Sequence, residues 1–362
     1  MAAVTSPGEF ERYLRKRAEQ DAFSGVVLIT QGSSRVFSGA YGYASRSWKV
    51  PARLTTRFDT ASVTKLFTAV GTLQLIDRGL LAFGTPVIDF LGLRDTTIAD
   101  SVNVFHLLTH TSGIADDADE VSGEDYADIW KTRANYSVTE TADFLPQFAY
   151  KPPNFPPGQG CRYCNCGYVL LGLLIEKASG LPYRDYVRQH VFAPAGMLRS
   201  GFFRMDLTYD DVAEGSDPVR DETGAIVGWK KNIYSYPPIG SPDGGAYVTA
   251  GDLDRFLREL KAGTLLSPRS TAAFFTPQVL LTPQAVHHKQ DDWNQMYGYA
   301  MWFALDRTGH VIFAEKEGIN AGASAVIRHY PDEDVNVVLL ANTQMGAWEP
   351  LRAAHRLVTA GR

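Results

Sequence analysis

The sequence is poor in cysteine and in long apolar runs, and both shortages narrow what it can be. It has three cysteines in 362 residues, crowded at Cys161, Cys164 and Cys166. An odd number at that spacing does not make a disulfide framework, so packing rather than covalent staples must hold the fold. No run of about 18 apolar residues occurs, and no membrane-spanning helix is expected. The N-terminal Met1-Ala-Ala-Val-Thr-Ser-Pro-Gly-Glu lacks a basic start followed by an apolar core, so a cytoplasmic, reduced protein is the expectation. Excess positive charge is missing too. The formal net charge is −5 and the 35 Lys and Arg are scattered rather than striped, which argues against a nucleic-acid partner.

The rest of the composition is that of an ordinary globular protein, 45% hydrophobic and 21% charged. The length suits one large unit or two interleaved lobes, and a monomer or weak homo-oligomer is expected. Residues 8–21 read as an amphipathic helix, Phe23–Thr30 and Arg35–Tyr43 as a hairpin around Gln31-Gly-Ser-Ser. Residues 80–235 are helical and loop-rich, with an apolar helix over Tyr168–Ala178 and another helix over Gly251–Lys261. Strands return at Tyr297–Leu305, His310–Lys316, Ala323–Tyr330 and Val335–Ala341, before a closing helix over about Ala347–Leu357. The pattern predicts an α/β (α+β) architecture. Residues 1–80 and 236–362 would build a sheet domain from both termini, and 81–235 a mostly helical domain, with a cleft between them.

The stretch Phe58-Asp-Thr-Ala-Ser62-Val-Thr-Lys65 carries the chemistry. Ser and Lys three apart on a helix share a face. A helix starting near Ala61 would put the Ser62 hydroxyl at its positive end. A serine is a poor nucleophile until its proton is taken, and a lysine desolvated by the apolar Leu66, Phe67, Ala69, Val70 and Leu73 can take it. Two further elements are Tyr163-Cys-Asn165, within Gly158-Gln-Gly-Cys-Arg-Tyr163, and Lys316-Glu317-Gly318 at the end of a predicted strand. They lie far apart in the chain and must converge in space.

With Ser-x-x-Lys, Tyr-x-Asn and a Lys-x-Gly in this order, the chain resembles the penicillin-recognising serine hydrolases. It looks most like the branch of class C β-lactamases, D-alanyl-D-alanine carboxypeptidases and β-lactamase-like esterases and transacylases. The resemblance extends through Asn103-Val-Phe-His-Leu-Leu-Thr-His-Thr-Ser-Gly113, Phe155-Pro-Pro-Gly158 and Ser241-Pro-Asp-Gly-Gly-Ala-Tyr. It implies an antiparallel sheet flanked by helices with a large helical insertion. It implies Ser62 as nucleophile, Lys65 as base or proton partner, and Tyr163 as second base and leaving-group acid, its pKa lowered by Lys65 and Lys316. Asn165 would orient Lys65 and bind substrate, and Lys316, Glu317, Gly318 and Ile319 would line the substrate strand. The oxyanion would sit between the backbone N–H groups of Ser62 and Ile319, on an edge strand, with Gly318 leaving room for substrate. No cofactor is implied. The reaction would be acyl transfer to water from a small ester or amide, with esterase ahead of D-amino-acid peptidase, carboxypeptidase or transacylase. A non-catalytic binding module has no need of all three catalytic groups.

Weaker signals read blandly. His110 belongs to a structural turn rather than a Ser-His-Asp triad, and Ser112 is a turn residue. The cysteines are buried or site-lining thiols rather than metal ligands. His287-His288 sit in a polar loop. Trp293, Tyr297, Tyr299 and Trp302 are core and sheet residues, one or two of which line the cleft. Glu317 departs from the hydroxyl of the carboxylate-binding enzymes, and should disfavour anionic substrates.

Overall fold

Strands gathered from both ends of the chain form one antiparallel sheet of eight. The computed structural model describes residues 6–119, 122–281 and 293–360; His287 and His288 lie outside them. The strands are β1 (Gly25–Gln31), β2 (Ser34–Tyr41), β3 (Val279–Leu280), β4 (Asn294–Tyr297), β5 (Trp302–Leu305), β6 (Val311–Asn320), β7 (Ala323–Tyr330) and β8 (Val335–Ala341). Their order across the sheet is β2-β1-β8-β7-β6-β5-β4-β3. N-terminal β1 therefore pairs directly with C-terminal β8, from Gly25↔Ala341 to Gln31↔Val335.

Alternation along each strand divides the interior into two cores. Val27, Ile29, Val337 and Leu339 face helices α1 (Pro7–Glu19) and α5 (Trp348–Thr359). Val26, Leu28, Val338 and Leu340 face α2 (Lys65–Asp77), α3 (Asn165–Ser179) and α4 (Ala250–Lys261). With both faces covered, every residue of β7 and β8 is buried. Helix α1 begins where Ser6 accepts the Glu9 N–H at 3.3 Å, with Pro7 supplying a pre-set first turn.

Helix α2 is the pivot of the second core. Lys65 to Leu73 are all buried, as expected of a helix apolar nearly all round. Phe67 packs edge-on against Phe192 and Phe256, each at 4.9 Å between centroids. Helix α3 runs beside α2 and ends at Gly180, whose φ of +74° is the left-handed stop a glycine accepts freely.

Two expectations change. Residues 297–305 are not one strand: β4 ends at Tyr297, β5 starts at Trp302, and the chain turns between them through Gly298 and Ala300, the latter at φ +65°. The run Tyr-Gly-Tyr-Ala-Met-Trp is apolar because the turn itself is buried. The segment 81–235 also contains a two-stranded hairpin, Ser216–Arg220 with Ile226–Lys231, besides its helices. No helix of the described residues is long and apolar enough to cross a membrane.

Candidate active site

Ser62 stands on a tight turn rather than inside the expected helix. Phe58–Asp59 pairs with Tyr247–Val248, a 3-10 turn follows over Ala61–Thr64, and α2 begins only at Lys65. Ala61 takes φ +43°, a strained conformation for a residue with a side chain. Asp59 holds it there, its Oδ1 accepting the Ala61 N–H at 2.7 Å. From the other side, the Thr60 hydroxyl donates to the Ala246 carbonyl at 2.7 Å, and Thr64 Oγ1 accepts the Ala246 N–H at 2.9 Å. The nucleophile turn is thus fixed to the Ser241–Val248 segment. Ser62 remains partly exposed at the cleft.

Lys65 is fully buried one turn along. Its Nζ lies 3.0 Å from Ser62 Oγ, 2.8 Å from Asn165 Oδ1 and 2.6 Å from the Asp243 carbonyl. Burial pushes its pKa down; the carboxylates of Asp243 and Asp116 work in the opposite direction. The amine is therefore closer to the neutral form than an ordinary lysine, and its nearest hydroxyl is Ser62.

Asn165 is the first residue of α3, and Asp116 determines how its amide faces. Asp116 Oδ2 accepts the Asn165 backbone N–H at 2.9 Å and its Nδ2 at 3.3 Å, while Oδ1 accepts the Cys166 N–H at 2.9 Å. With Nδ2 directed to Asp116, Oδ1 is left for Lys65. Asp116 caps α3 and sets the lysine's partner in one arrangement. Sequence reasoning missed it, because its only signal is its place just after Thr-Ser-Gly-Ile.

Tyr163 precedes this helix and its ring lies beside two lysine side chains. Lys65 Nζ is 5.0 Å and Lys316 Nζ 4.8 Å from the ring centroid. His110 turns its ring against that of Tyr163, with centroids 4.6 Å apart. Cys161, Cys164 and Cys166 are buried free thiols, and burial pushes each thiol up, away from the reactive thiolate. Ligand atoms of Cys166, Asp116 and Asp117 do lie within 4.8 Å of one another. The Asp116 oxygens of that group already accept the α3 N–H groups.

Lys316 and Gly318 share the face of β6 turned toward the nucleophile, and Glu317 alternates to the face of Glu315 while still lining the cleft in front of Ser62. Two expectations are corrected here. Strand β6 is interior to the sheet order, but β5 starts at Trp302 opposite Glu315, so residues 316–320 run past β5 and form an open edge. Gly318 is needed for the chain's own backbone: an added Cβ would meet Thr60 O at 2.2 Å and Ser62 N at 2.7 Å. The contact sets Gly318, and the chain that runs on into Ile319, against the Ser62 turn. Burial and the neighbouring Lys65 charge lower the Lys316 pKa; burial and neighbouring Glu315 raise that of Glu317. On the far face Glu315 forms a buried ion pair with Arg328.

The cleft in front of Ser62 encloses about 280 Å³. One wall is apolar and aromatic, with Phe203, Met205, Tyr236, Pro238, Ile239 and Tyr247. Tyr297 and Trp302 line it at the β4–β5 turn, whereas Tyr299 stacks on Phe83 and Trp293 packs against Phe313. Asp59 also lines it, and burial raises its carboxyl to about 6.

A buried lysine hydrogen-bonded to a partly exposed serine, a tyrosine beside two lysines and a strand packed against the serine turn define a serine hydrolase. The chain belongs to the Beta-lactamase family, whose sequence model matches residues 10–361. It is 28% identical to penicillin-binding protein 4* of Bacillus subtilis over 335 residues, covering 90% of this chain and 69% of that protein. It is 30% identical to esterase EstB of Burkholderia gladioli over 286 residues, 73% of this chain and 71% of the esterase. The crystal structure of a penicillin-binding protein from Bacillus halodurans superimposes with a TM-score of 0.84 at 36% identity, over 94% of this chain and 99% of that one.

Proposed function

We propose that the protein is an esterase that forms an acyl-enzyme on Ser62 with small, uncharged esters or amides. The observation that carries this reading is the fully buried Lys65 amine 3.0 Å from Ser62 Oγ. The Ser62 oxygen adds to the substrate carbonyl as its proton passes to neutral Lys65, or to Tyr163 where the phenol is already ionised. The backbone N–H groups of Ser62 and Ile319 receive the oxyanion. Tyr163 returns a proton to the departing alcohol or amine. Water then enters by the same route and releases the acid. Similarity to esterase EstB and the apolar cleft wall support an ester with an uncharged acyl group. The free, buried thiols fit a reducing cytoplasmic setting.

A D-amino-acid peptidase or carboxypeptidase is the second reading. Likeness to the penicillin-binding proteins and the open edge at residues 316–320, where an extended peptide can add as a strand, favour it. A transacylase differs only in the acceptor. One panel separates these readings: p-nitrophenyl esters, D-aminoacyl anilides and a chromogenic cephalosporin, with Ser62→Ala as control. Ester turnover and fluorophosphonate labelling that both vanish in Ser62→Ala are expected. Labelling that persists in Ser62→Ala rejects the nucleophile, and faster anilide than ester turnover moves the peptidase reading ahead.

A further inference from the structure

The loop His110–Asp116 holds the Tyr163–Asn165 motif at both ends, and Asp116 accounts for the Asn165 end. His110 makes the contacts at the other. Its carbonyl accepts the Arg162 N–H at 2.9 Å, and its ring Nδ1 accepts the Cys164 N–H at 3.2 Å. The residues immediately before and after Tyr163 are therefore tied to one histidine. As an acceptor, Nδ1 carries no proton, so the neutral ring is protonated on Nε2.

The same ring supports Tyr163 directly. The two ring centroids are 4.6 Å apart and tilted by 33°, and the His110 ring is itself held by Tyr168 at 5.2 Å and Tyr297 at 5.0 Å. His110 is 1% exposed, and its backbone is at φ +58°. A left-handed conformation at a buried histidine is unusual and must be imposed by its surroundings. Here it lets one residue direct its carbonyl and its ring nitrogen to the two sides of Tyr163.

We propose that His110 is the positioning residue for Tyr163, fixing the phenol through hydrogen bonds to both chain neighbours and a ring packed on its face. The inference rests on Tyr163 being the proton-transfer group of the proposed reaction. His110 is not among the residues lining the cleft in front of Ser62, and it acts through Tyr163. A proton-transfer group must stay within hydrogen-bond reach of its target, and displacement by about 1 Å costs on the order of 10²-fold in rate.

A double-mutant cycle tests this on the intact protein with a p-nitrophenyl ester. His110→Leu is expected to lower kcat by roughly 30- to 100-fold with KM changed less than about 3-fold, while His110→Asn recovers about 5-fold or more. Asparagine tolerates the left-handed backbone and keeps an acceptor at the Nδ1 position. In a Tyr163→Phe background, His110→Leu should lower kcat no further, since the group it positions is gone. Equal losses in both backgrounds, or His110→Asn no better than His110→Leu, overturn the proposal. If His110→Leu does not fold, the cycle is run with His110→Asn. A loss of about 3-fold or more confined to the Tyr163 background supports it, and wild-type kcat or a loss that persists in Tyr163→Phe overturns it. Fluorophosphonate labelling of the wild type at Ser62 keeps the two readings apart: its absence rejects the acyl-enzyme, whereas its presence leaves the His110 result to stand alone.

Discussion

Gly318 and Ser62 touch through their backbones: a Cβ at position 318 would stand 2.7 Å from the Ser62 nitrogen. The neighbouring atoms, Thr60 O at 2.2 Å and Val63 N at 3.0 Å, are also backbone and cannot rotate away. The separation between strand β6 and the nucleophile turn is thus set by the absence of one carbon atom.

Gly318→Ala should force the turn and the strand apart. Activity should fall about 10²-fold or more through the disturbed oxyanion site, and stability by about 1–3 kcal/mol from overpacking. Ester turnover with a parallel thermal melt checks it. A variant within about 3-fold of wild-type kcat would show that the contact relaxes without consequence.

The buried amine of Lys65 makes a prediction about pH. Burial favours its neutral form, so the basic form accumulates below the ordinary lysine value of 10.5. Then kcat/KM should rise with pH along a limb centred below 10.5. Lys65→Arg, which keeps its charge at every accessible pH, should lose about 10³-fold. A pH–rate series from 5 to about 10 on both proteins decides it. An arginine variant with more than about a tenth of the activity would remove Lys65 from proton transfer.

Asp59 ties pH to stability. Its carboxyl is raised to about 6 by burial, against an ordinary value of 3.8. The folded state holds this proton more tightly than the unfolded chain. The contribution is complete below the unfolded value and is lost as pH rises through about 6. A shift of roughly two units is about 3 kcal/mol of destabilisation by pH 8. Asp59→Asn keeps an oxygen for the Ala61 N–H and carries no charge. Its melting temperature should exceed wild type at pH 8 and match it near pH 4. Parallel melting curves for the two proteins across that range would reject the assignment.

Much of the site was legible because Ser62 and Lys65 are local neighbours on one turn, and Tyr163-Cys-Asn165 opens an apolar helix. β7 and β8 read clearly from their β-branched and aliphatic runs. What stayed hidden depends on contacts across space. Asp116 and Asp59 look like loop carboxylates until α3 and Ala61 are placed against them. Gly318 was assigned to substrate access, whereas the neighbour that excludes a side chain is the Thr60–Val63 backbone. The β4–β5 turn was invisible because burial makes it as apolar as the strands it joins.

Glu317, which lines the cleft in front of Ser62, shapes the charge preference. Ionised, it would repel a substrate carboxylate roughly 5–8 Å away by about 2–3 kcal/mol at an effective dielectric of about 20. Burial and Glu315 raise its pKa, so protonation relieves the repulsion as pH falls. The ratio of kcat/KM for a neutral ester to that for its carboxylated analogue should therefore decline from pH 8 to pH 6. Glu317→Gln should flatten that dependence and improve the carboxylated substrate at pH 8. Wild type that prefers the carboxylated substrate, with a ratio unmoved by Glu317→Gln, would refute the charge argument.

The pairing of β1 with β8 has a consequence for how the protein comes into being. Gly25–Gln31 is made early and pairs with β2 at once, but its other neighbour in the sheet is Val335–Ala341. At ~5–20 residues per second, a ribosome needs roughly 15–60 s to supply the intervening chain. Throughout that interval the inner edge of the first hairpin has no β8 to pair with, and Ser62 has no β6 beside it. Such non-local pairing folds slowly. The emerging chain is catalytically silent and exposed to aggregation until its last strands appear, so its yield in a cell should depend on chaperone capacity more steeply than its finished stability would suggest.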